Sequence, residues 1–200
     1  MKIAIEGMDG VGKSTVAKKI AGDYNMLYIE KPLTKLFNTK VSDGKETLAQ
    51  VSNTIYSFDD EAIKAWFFGL GNIYSFLEYK NQDVVLDRHF ASNYFWNGSP
   101  RTNTIFKSMI ELIGVPDLTI VLTASIETRI QRLYTRNPKD YDITDLEKHV
   151  KGDDKMIEFL NEFQIPYIEI NTDNKTSSEV YEEVRIAINN LMKIKKLVLK

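Results

Sequence analysis

Short apolar runs alternate with longer stretches of helical spacing along the 200 residues of the chain. Runs rich in valine and isoleucine stand at 3–6, 26–30, 84–86, 118–122 and 167–170. None alternates apolar with polar positions as a strand with one wet face does, so they predict parallel strands covered on both faces. Helical windows fall between them at about 13–22, 44–57, 59–80, 101–113, 125–135, 144–163 and 177–195. Thr144 and Glu147 have capping-box spacing, and Pro116 and Pro166 each sit just ahead of a strand. In the last window Val180, Val184, Ala187, Ile188 and Leu191 recur as on a covering helix. No internal repeat, low-complexity tract or linker interrupts the pattern, so residues 1–200 read as a single domain. Five strands alternating with helices predict a doubly wound α/β fold. In such sheets ligands gather at the carboxyl ends of the strands.

The turn between the first strand and the first helix carries the sharpest chemistry. Residues 7–14 read Gly-Met-Asp-Gly-Val-Gly-Lys-Ser and fit G-x-x-x-x-G-K-[ST], the phosphate-binding P-loop. A strand, a glycine-rich turn and a helix N-terminus aim several backbone N–H groups at one point, where the helix dipole also favours an anion. Gly7, Gly10 and Gly12 let the backbone turn tightly and approach phosphate oxygens. Lys13 can reach the β- and γ-phosphates, and the Ser14 hydroxyl can ligate Mg²⁺. With Val11 and Thr15 completing the loop, residues 7–15 are expected to dock ATP with Mg²⁺.

Composition fits a soluble globular enzyme and removes several alternatives. Apolar residues make up 43% and charged residues 27%, and the net charge of −2 gives no basic field for nucleic acid. With no cysteine there is no disulfide, thiolate metal site or cysteine nucleophile. The apolar stretch 66–77 is broken by polar and glycine residues and is too short to span a bilayer, and residues 1–6 do not read as a signal peptide. A cytoplasmic location without membrane or nucleic-acid partners is the expectation.

Three further clusters stand where a P-loop fold needs them. Asp87, at the tip of the third strand, suits holding Mg²⁺ or its water shell, and Arg88 can clamp phosphate oxygens. At the tip of the second strand Lys31 could meet a substrate phosphate, and Glu30 could orient it or accept a substrate hydroxyl. Arg129, Arg132 and Arg136 share one helical face ahead of a polar loop, which suits a lid at about 134–144 that brings an arginine onto developing charge.

Residues 5–15, Ile-Glu-Gly-Met-Asp-Gly-Val-Gly-Lys-Ser-Thr, resemble the opening E-G-x-D-G-x-G-K-S-T of thymidylate kinases, and Asp87-Arg88-His89 resembles that family's D-R-Y motif. The arginine-bearing lid and the pair Asp140-Tyr141 are similar too. The resemblance implies a P-loop-type five-stranded parallel sheet with a lid, often dimerising through helices, and so a homodimer. It implies phosphoryl transfer from ATP to a nucleoside monophosphate, usually dTMP. Asp9 would then hold the acceptor's sugar hydroxyl, Lys31 and Arg88 its phosphate, and Asp87 would work through magnesium. One or more of Arg129, Arg132 and Arg136 would stabilise the transferring group, while Phe68 and Tyr141 would contact the base and close over the nucleotide.

Departures from the family pattern bear on the base. Asn72 stands where these kinases normally carry an arginine that reads thymine, and a neutral amide both donates and accepts. The R-E-P-G-G stretch is reduced to Glu30-Lys31-Pro32-Leu33, and His89 replaces the tyrosine of D-R-Y. The aromatic run Trp66, Phe67, Phe68, Tyr74, Phe76 reads as core or dimer interface, Phe68 excepted. Two other functions remain open. A deoxynucleoside kinase would use Glu30 as base on a 5′-hydroxyl. A nucleotide-gated switch needs an N-K-x-D motif, whose nearest string, Asn174-Lys175-Thr176-Ser177, lacks the aspartate.

Overall fold

The computed structural model describes residues 1–38, 43–139 and 152–198. Five parallel strands, β1 (Lys2–Glu6), β2 (Leu27–Glu30), β3 (Val84–Asp87), β4 (Leu118–Thr123) and β5 (Tyr167–Asn171), form one sheet in the order β2-β3-β1-β4-β5. All four residues of β3 and all six of β4 are buried, which is what continuous apolar runs require when helices cover both faces. Register aligns the carboxyl ends: Ile5 pairs with Asp87 on one side and Ile120 on the other, and Glu30 pairs with Asp87. The chain turns from β3 to β4 across β1, so the crevice beyond β1 and β3 is the switch point of the sheet.

Helices α1 (Lys13–Asp23), α2 (Leu33–Phe37), α3 (Gly44–Tyr56), α4 (Glu61–Glu78), α5 (Phe90–Asn97), α6 (Asn103–Ile113), α7 (Ile126–Arg136), α8 (Gly152–Glu162) and α9 (Ser177–Val198) complete the described residues, with a 3-10 turn at Pro100–Thr102. The larger core packs Ile3, Ile5, Ile20, Phe106, Ile120, Phe159 and Val184 between sheet and helices. The opposite face packs Ala4, Ile29, Val84 and Leu86 against Phe76 and Tyr79.

Two helices have no counterpart in the apolar pattern. Helix α2 is five residues long, too short to show a period. Helix α5 is capped from across the sheet: buried Glu6 accepts from the backbone N–H of His89 at 2.9 Å, of Ala91 at 3.0 Å and of Ser92 at 3.3 Å. It therefore needs no capping residue of its own. Helix α7 continues through Arg136, so the first part of the expected lid is helical. Residues 140–144 of that lid, Tyr141 among them, and the Thr144–Glu147 pair fall outside the described residues.

Candidate active site

The loop between β1 and α1 wraps at the carboxyl end of the sheet with Gly7, Gly10 and Gly12 all at positive φ. A Cβ on Gly7 would stand 2.2 Å from the Leu122 carbonyl oxygen, so glycine is enforced by β4. A Cβ on Gly12 would meet nothing within 4 Å, because this glycine faces open cleft. The two glycines serve different ends: one packs the loop onto the sheet, and the other leaves space above the loop.

Lys13 is only 5% exposed; its Nζ donates to the Met8 carbonyl at 2.7 Å and lies 3.8 Å from Asp9 Oδ1. Burial, and then the nearby Arg88, pull its pKa down to about 8. Arg88 ion-pairs with Asp9 and donates to the Gly7 carbonyl at 3.2 Å and the Ser92 hydroxyl at 3.3 Å. Burial pushes the Asp9 carboxyl up, but Arg88, Lys13 and Arg129 outweigh it and hold it below its ordinary value. Arg88 and Lys31 both occupy left-handed backbone, at φ 75° and 47°. Each such residue costs roughly 1–2 kcal/mol, a strain tolerated where a side chain must be aimed.

Asp87 closes the far side. The Tyr28 hydroxyl donates to Asp87 Oδ2 at 2.8 Å and lies 3.3 Å from Glu30 Oε2. Burial and then these acidic partners push the Tyr28 phenol above its ordinary value, so it stays a neutral donor, with the Ser14 hydroxyl beside it. Ser14, Asp87 and Tyr28 thus gather hydroxyl and carboxylate oxygens at the start of α1. Such donors suit a hard cation that keeps some of its waters.

One cleft brings together Asp9, Gly10, Val11, Gly12, Lys13, Ser14, Thr15, Glu30, Lys31, Phe68, Asn72, Asp87, Arg88, Arg132 and Arg136. Gly7 and Arg129 do not line it. Arg129 is 1% exposed, and its Nε donates to the Asp9 carbonyl at 2.8 Å. Arg129, expected at the nucleotide, sits early in α7, on the helix's inner face, and braces the loop from beneath. Arg132, one turn on, donates to the Thr172 carbonyl at 2.7 Å and hydroxyl at 2.8 Å, tying the loop after β5 to the Gly10 carbonyl.

A sequence model of thymidylate kinase matches residues 5–184. The chain belongs to the thymidylate kinase family. It is 28% identical over 211 residues to a probable thymidylate kinase of Archaeoglobus fulgidus, which covers 98% of both chains. It is 30% identical over 193 residues to one of Methanococcus aeolicus, covering 91% of this chain and 92% of that one. In fold it is similar to deoxyadenosine kinase from M. mycoides, with a TM-score of 0.66 at 16% identity over 95% of this chain and all of that one. It is also similar to thymidylate kinase from Ehrlichia chaffeensis, with a TM-score of 0.59 at 17% identity over 94% and 98% of the two chains. The kinase is therefore a nucleotide-binding phosphotransferase on the fold that the apolar pattern predicts.

Several residues of this kinase escape a reading along the chain. Glu6 is fully buried and caps α5; burial raises its pKa, against the Ser92 hydrogen bond and the Arg88 charge. Tyr28 steadies Asp87 from a neighbouring strand. Thr172, fully buried, receives Arg132. Each acts through pairing across the sheet, and a buried glutamate at the end of an apolar strand is the only local sign among them.

Proposed function

We propose that this chain transfers the γ-phosphoryl group of ATP to the 5′-phosphate of dTMP or a related nucleoside monophosphate. The observation that carries the reading is the pair of cations Lys31 and Arg88, both in left-handed backbone and both lining the cleft in addition to the P-loop lysine, with which Arg88 shares Asp9. Two cations beyond the P-loop lysine answer to a second phosphate, which a nucleoside acceptor lacks.

The site fits the groups the reaction needs. Space above Gly12 leaves the loop N–H groups accessible to phosphate oxygens, and Ser14 with Asp87 offers oxygen donors. Bound there, Mg²⁺ would neutralise charge on the phosphate oxygens. Lys13 would leave the Met8 carbonyl for the bridging oxygens, and Arg88, held by Asp9, would keep the acceptor phosphate in line. Tyr28 would keep Asp87 facing the metal position. Arg132 and Arg136, from α7, would contribute positive charge on the ATP side, and closure over the cleft would exclude water that would otherwise hydrolyse ATP. Phe68, whose ring lies 5.1 Å from that of Tyr56, would pack on the acceptor base.

A nucleoside acceptor is the second reading, favoured by Glu30, which lines the same cleft and could take a 5′-hydroxyl proton. ADP release with Mg²⁺-ATP across deoxynucleosides and their 5′-monophosphates separates the two. Turnover on monophosphates is expected. Turnover on nucleosides alone would make Glu30 the base and refute the main reading.

A homodimer belongs to the same proposal. Ile63, Trp66, Leu70 and Leu77 stand exposed on α4 at spacings of three, four and seven residues, a continuous stripe for a second copy. Leu70→Glu should yield monomer by sedimentation; an unchanged mass for a dimeric parent would move the interface elsewhere. A cytoplasmic location follows from the proposed substrates, and no described helix is long and apolar enough to cross a membrane.

A further inference from the structure

Residues 8–10 of the P-loop rest on the starts of two helices. A Cβ on Gly10 would stand 2.9 Å from the carbonyl oxygen of Arg129 and 3.0 Å from its Cα, so the loop lies directly on α7. A Cβ on Gly152 would stand 2.4 Å from Met8 Sδ, so α8 begins as close to the loop from its own side. These two helices bring together Arg129, 1% exposed, and Asp153, which faces Arg129 and the Met8 backbone N–H.

Four successive carbonyls of the loop each accept from a cation. Arg88 donates to Gly7 at 3.2 Å, Lys13 to Met8 at 2.7 Å, Arg129 to Asp9 at 2.8 Å and Arg132 to Gly10 at 3.4 Å. Arg88, Lys13 and Arg132 line the cleft, whereas Arg129 does not. Of these four carbonyls, that of Asp9 is therefore the one turned into the protein. In a trans peptide the N–H points opposite to the C=O, so the same peptide turns the Gly10 N–H toward the cleft that Gly10 lines. A phosphate oxygen above the loop meets that N–H as a donor.

Packing alone does not call for a buried charge pair. Burial lifts the Asp153 carboxyl to about 6, so keeping it ionised at neutral pH costs stability. Apolar side chains of similar volume often hold such a place as well or better. They cannot donate to the Asp9 carbonyl. The Arg129 guanidinium does, and Asp153 supplies the opposite charge that lets a guanidinium stay buried there.

We infer that Arg129 is a positioning residue for the phosphoryl donor: without touching ATP it turns the Gly10 N–H onto a phosphate oxygen, with Asp153 as its buried counter-charge. The inference rests on the reading that ATP docks on residues 7–15.

The test is Arg129→Met combined with Asp153→Asn, set against the wild type and Asp153→Asn alone at about pH 7.5, where Asp153 is ionised. The double substitution removes one charge of each sign, so the field at the phosphates stays nearly level and neither charge is left buried alone. The new amide oxygen can still accept from Met8, and cooperative urea unfolding shows that each variant is folded. Calorimetry should give a Kd for Mg²⁺-ATP raised by about ten- to a hundredfold in the double variant and little changed in Asp153→Asn. In isotope-labelled protein the Gly10 amide proton should move downfield with saturating Mg²⁺-ATP in the wild type and in Asp153→Asn, but not in the double variant. A defect of packing alone would leave that proton moving as in the wild type. An unchanged Kd in the folded double variant would overturn the inference. So would a raised Kd with the Gly10 shift retained, or an equal loss of affinity in Asp153→Asn alone. A wild-type Gly10 proton that stays in place while ATP binds would overturn it with no substitution needed. Wild-type protein that binds no Mg²⁺-ATP would instead remove the docking reading beneath it.

Discussion

Gly12→Ala separates the folding role of the P-loop from its binding role. Gly12 has φ 97°, and a Cβ there meets nothing within 4 Å, so the added methyl group clashes with no part of the empty protein. The cost is that of left-handed backbone at a residue with a Cβ, roughly 1–2 kcal/mol. In a chain of this length each kcal/mol lowers Tm by about 2–4 °C, so a fall of about 2–8 °C is expected. Wild-type protein at a hundredfold excess of Mg²⁺-ATP over Kd gains about 2.7 kcal/mol, a rise of about 5–11 °C. In Gly12→Ala the methyl group occupies the space through which phosphate oxygens reach the loop N–H groups, so that rise and turnover should both vanish. Melting curves with and without Mg²⁺-ATP give both quantities from one sample. Gly7→Ala serves as contrast: its Cβ would meet the Leu122 carbonyl oxygen at 2.2 Å, so folding itself should fail. A folded Gly12→Ala protein that keeps the full ligand-induced rise would refute the phosphate position.

Three further substitutions or titrations follow from the same geometry. Lys13 is held down to about 8 in the empty protein, so binding phosphate at pH 8.5 should draw in a substantial fraction of a proton and at pH 6.5 almost none. Calorimetry in buffers of different ionisation enthalpy measures this, and no uptake at pH 8.5 would mean that Lys13 does not meet the phosphates. By linkage the empty protein binds fewer protons than the unfolded chain between about pH 8 and 10.5, so this group makes its stability rise with pH across that window. Glu6→Gln keeps the shape but sets an amide NH₂ among the donors of His89, Ala91 and Ser92; a loss of about 2–3 kcal/mol in urea unfolding is expected, and a loss below about 0.5 would refute the capping role. Asp153 is raised to about 6, first by burial, while the Met8 backbone and Arg129 act against that. A raised carboxyl favours folding below about pH 4 and loses that contribution as pH rises through 6. Asp153→Asn should therefore be more stable than wild type at pH 7 by at most about 3 kcal/mol, with the difference closing near pH 4; a gap that widens in acid would show the opposite sign.

How much of this was legible along the chain follows from how far each determinant reaches. The five strands are local apolar runs, and all five appear in the sheet within a residue or so of their expected bounds. The P-loop is legible for the same reason, since strand, turn and helix start are contiguous and Lys13 bonds only five residues back. Helix α5 is not: Phe-Ala-Ser-Asn-Tyr-Phe-Trp-Asn shows no apolar stripe, and its cap comes from Glu6, more than eighty residues away. Arg129 shares a helical face with Arg132 and Arg136 in sequence, but docking of α7 buries the first beneath the loop and leaves the others beside the cleft. Asn72 stands out in sequence as a departure, whereas its backbone contact with His89 exists only because α5 packs on α4. The P-loop is thus written in one contiguous segment, while the far wall of the cleft is written in the contact between two helices. Gly69→Ala puts a Cβ 2.4 Å from Met109 Sδ, the flexible end of that side chain, which can move aside, so α4 should keep its place and Mg²⁺-ATP binding should be spared. Loss of Mg²⁺-ATP affinity in the same variant, measured by calorimetry, would mean that the two segments are not independent.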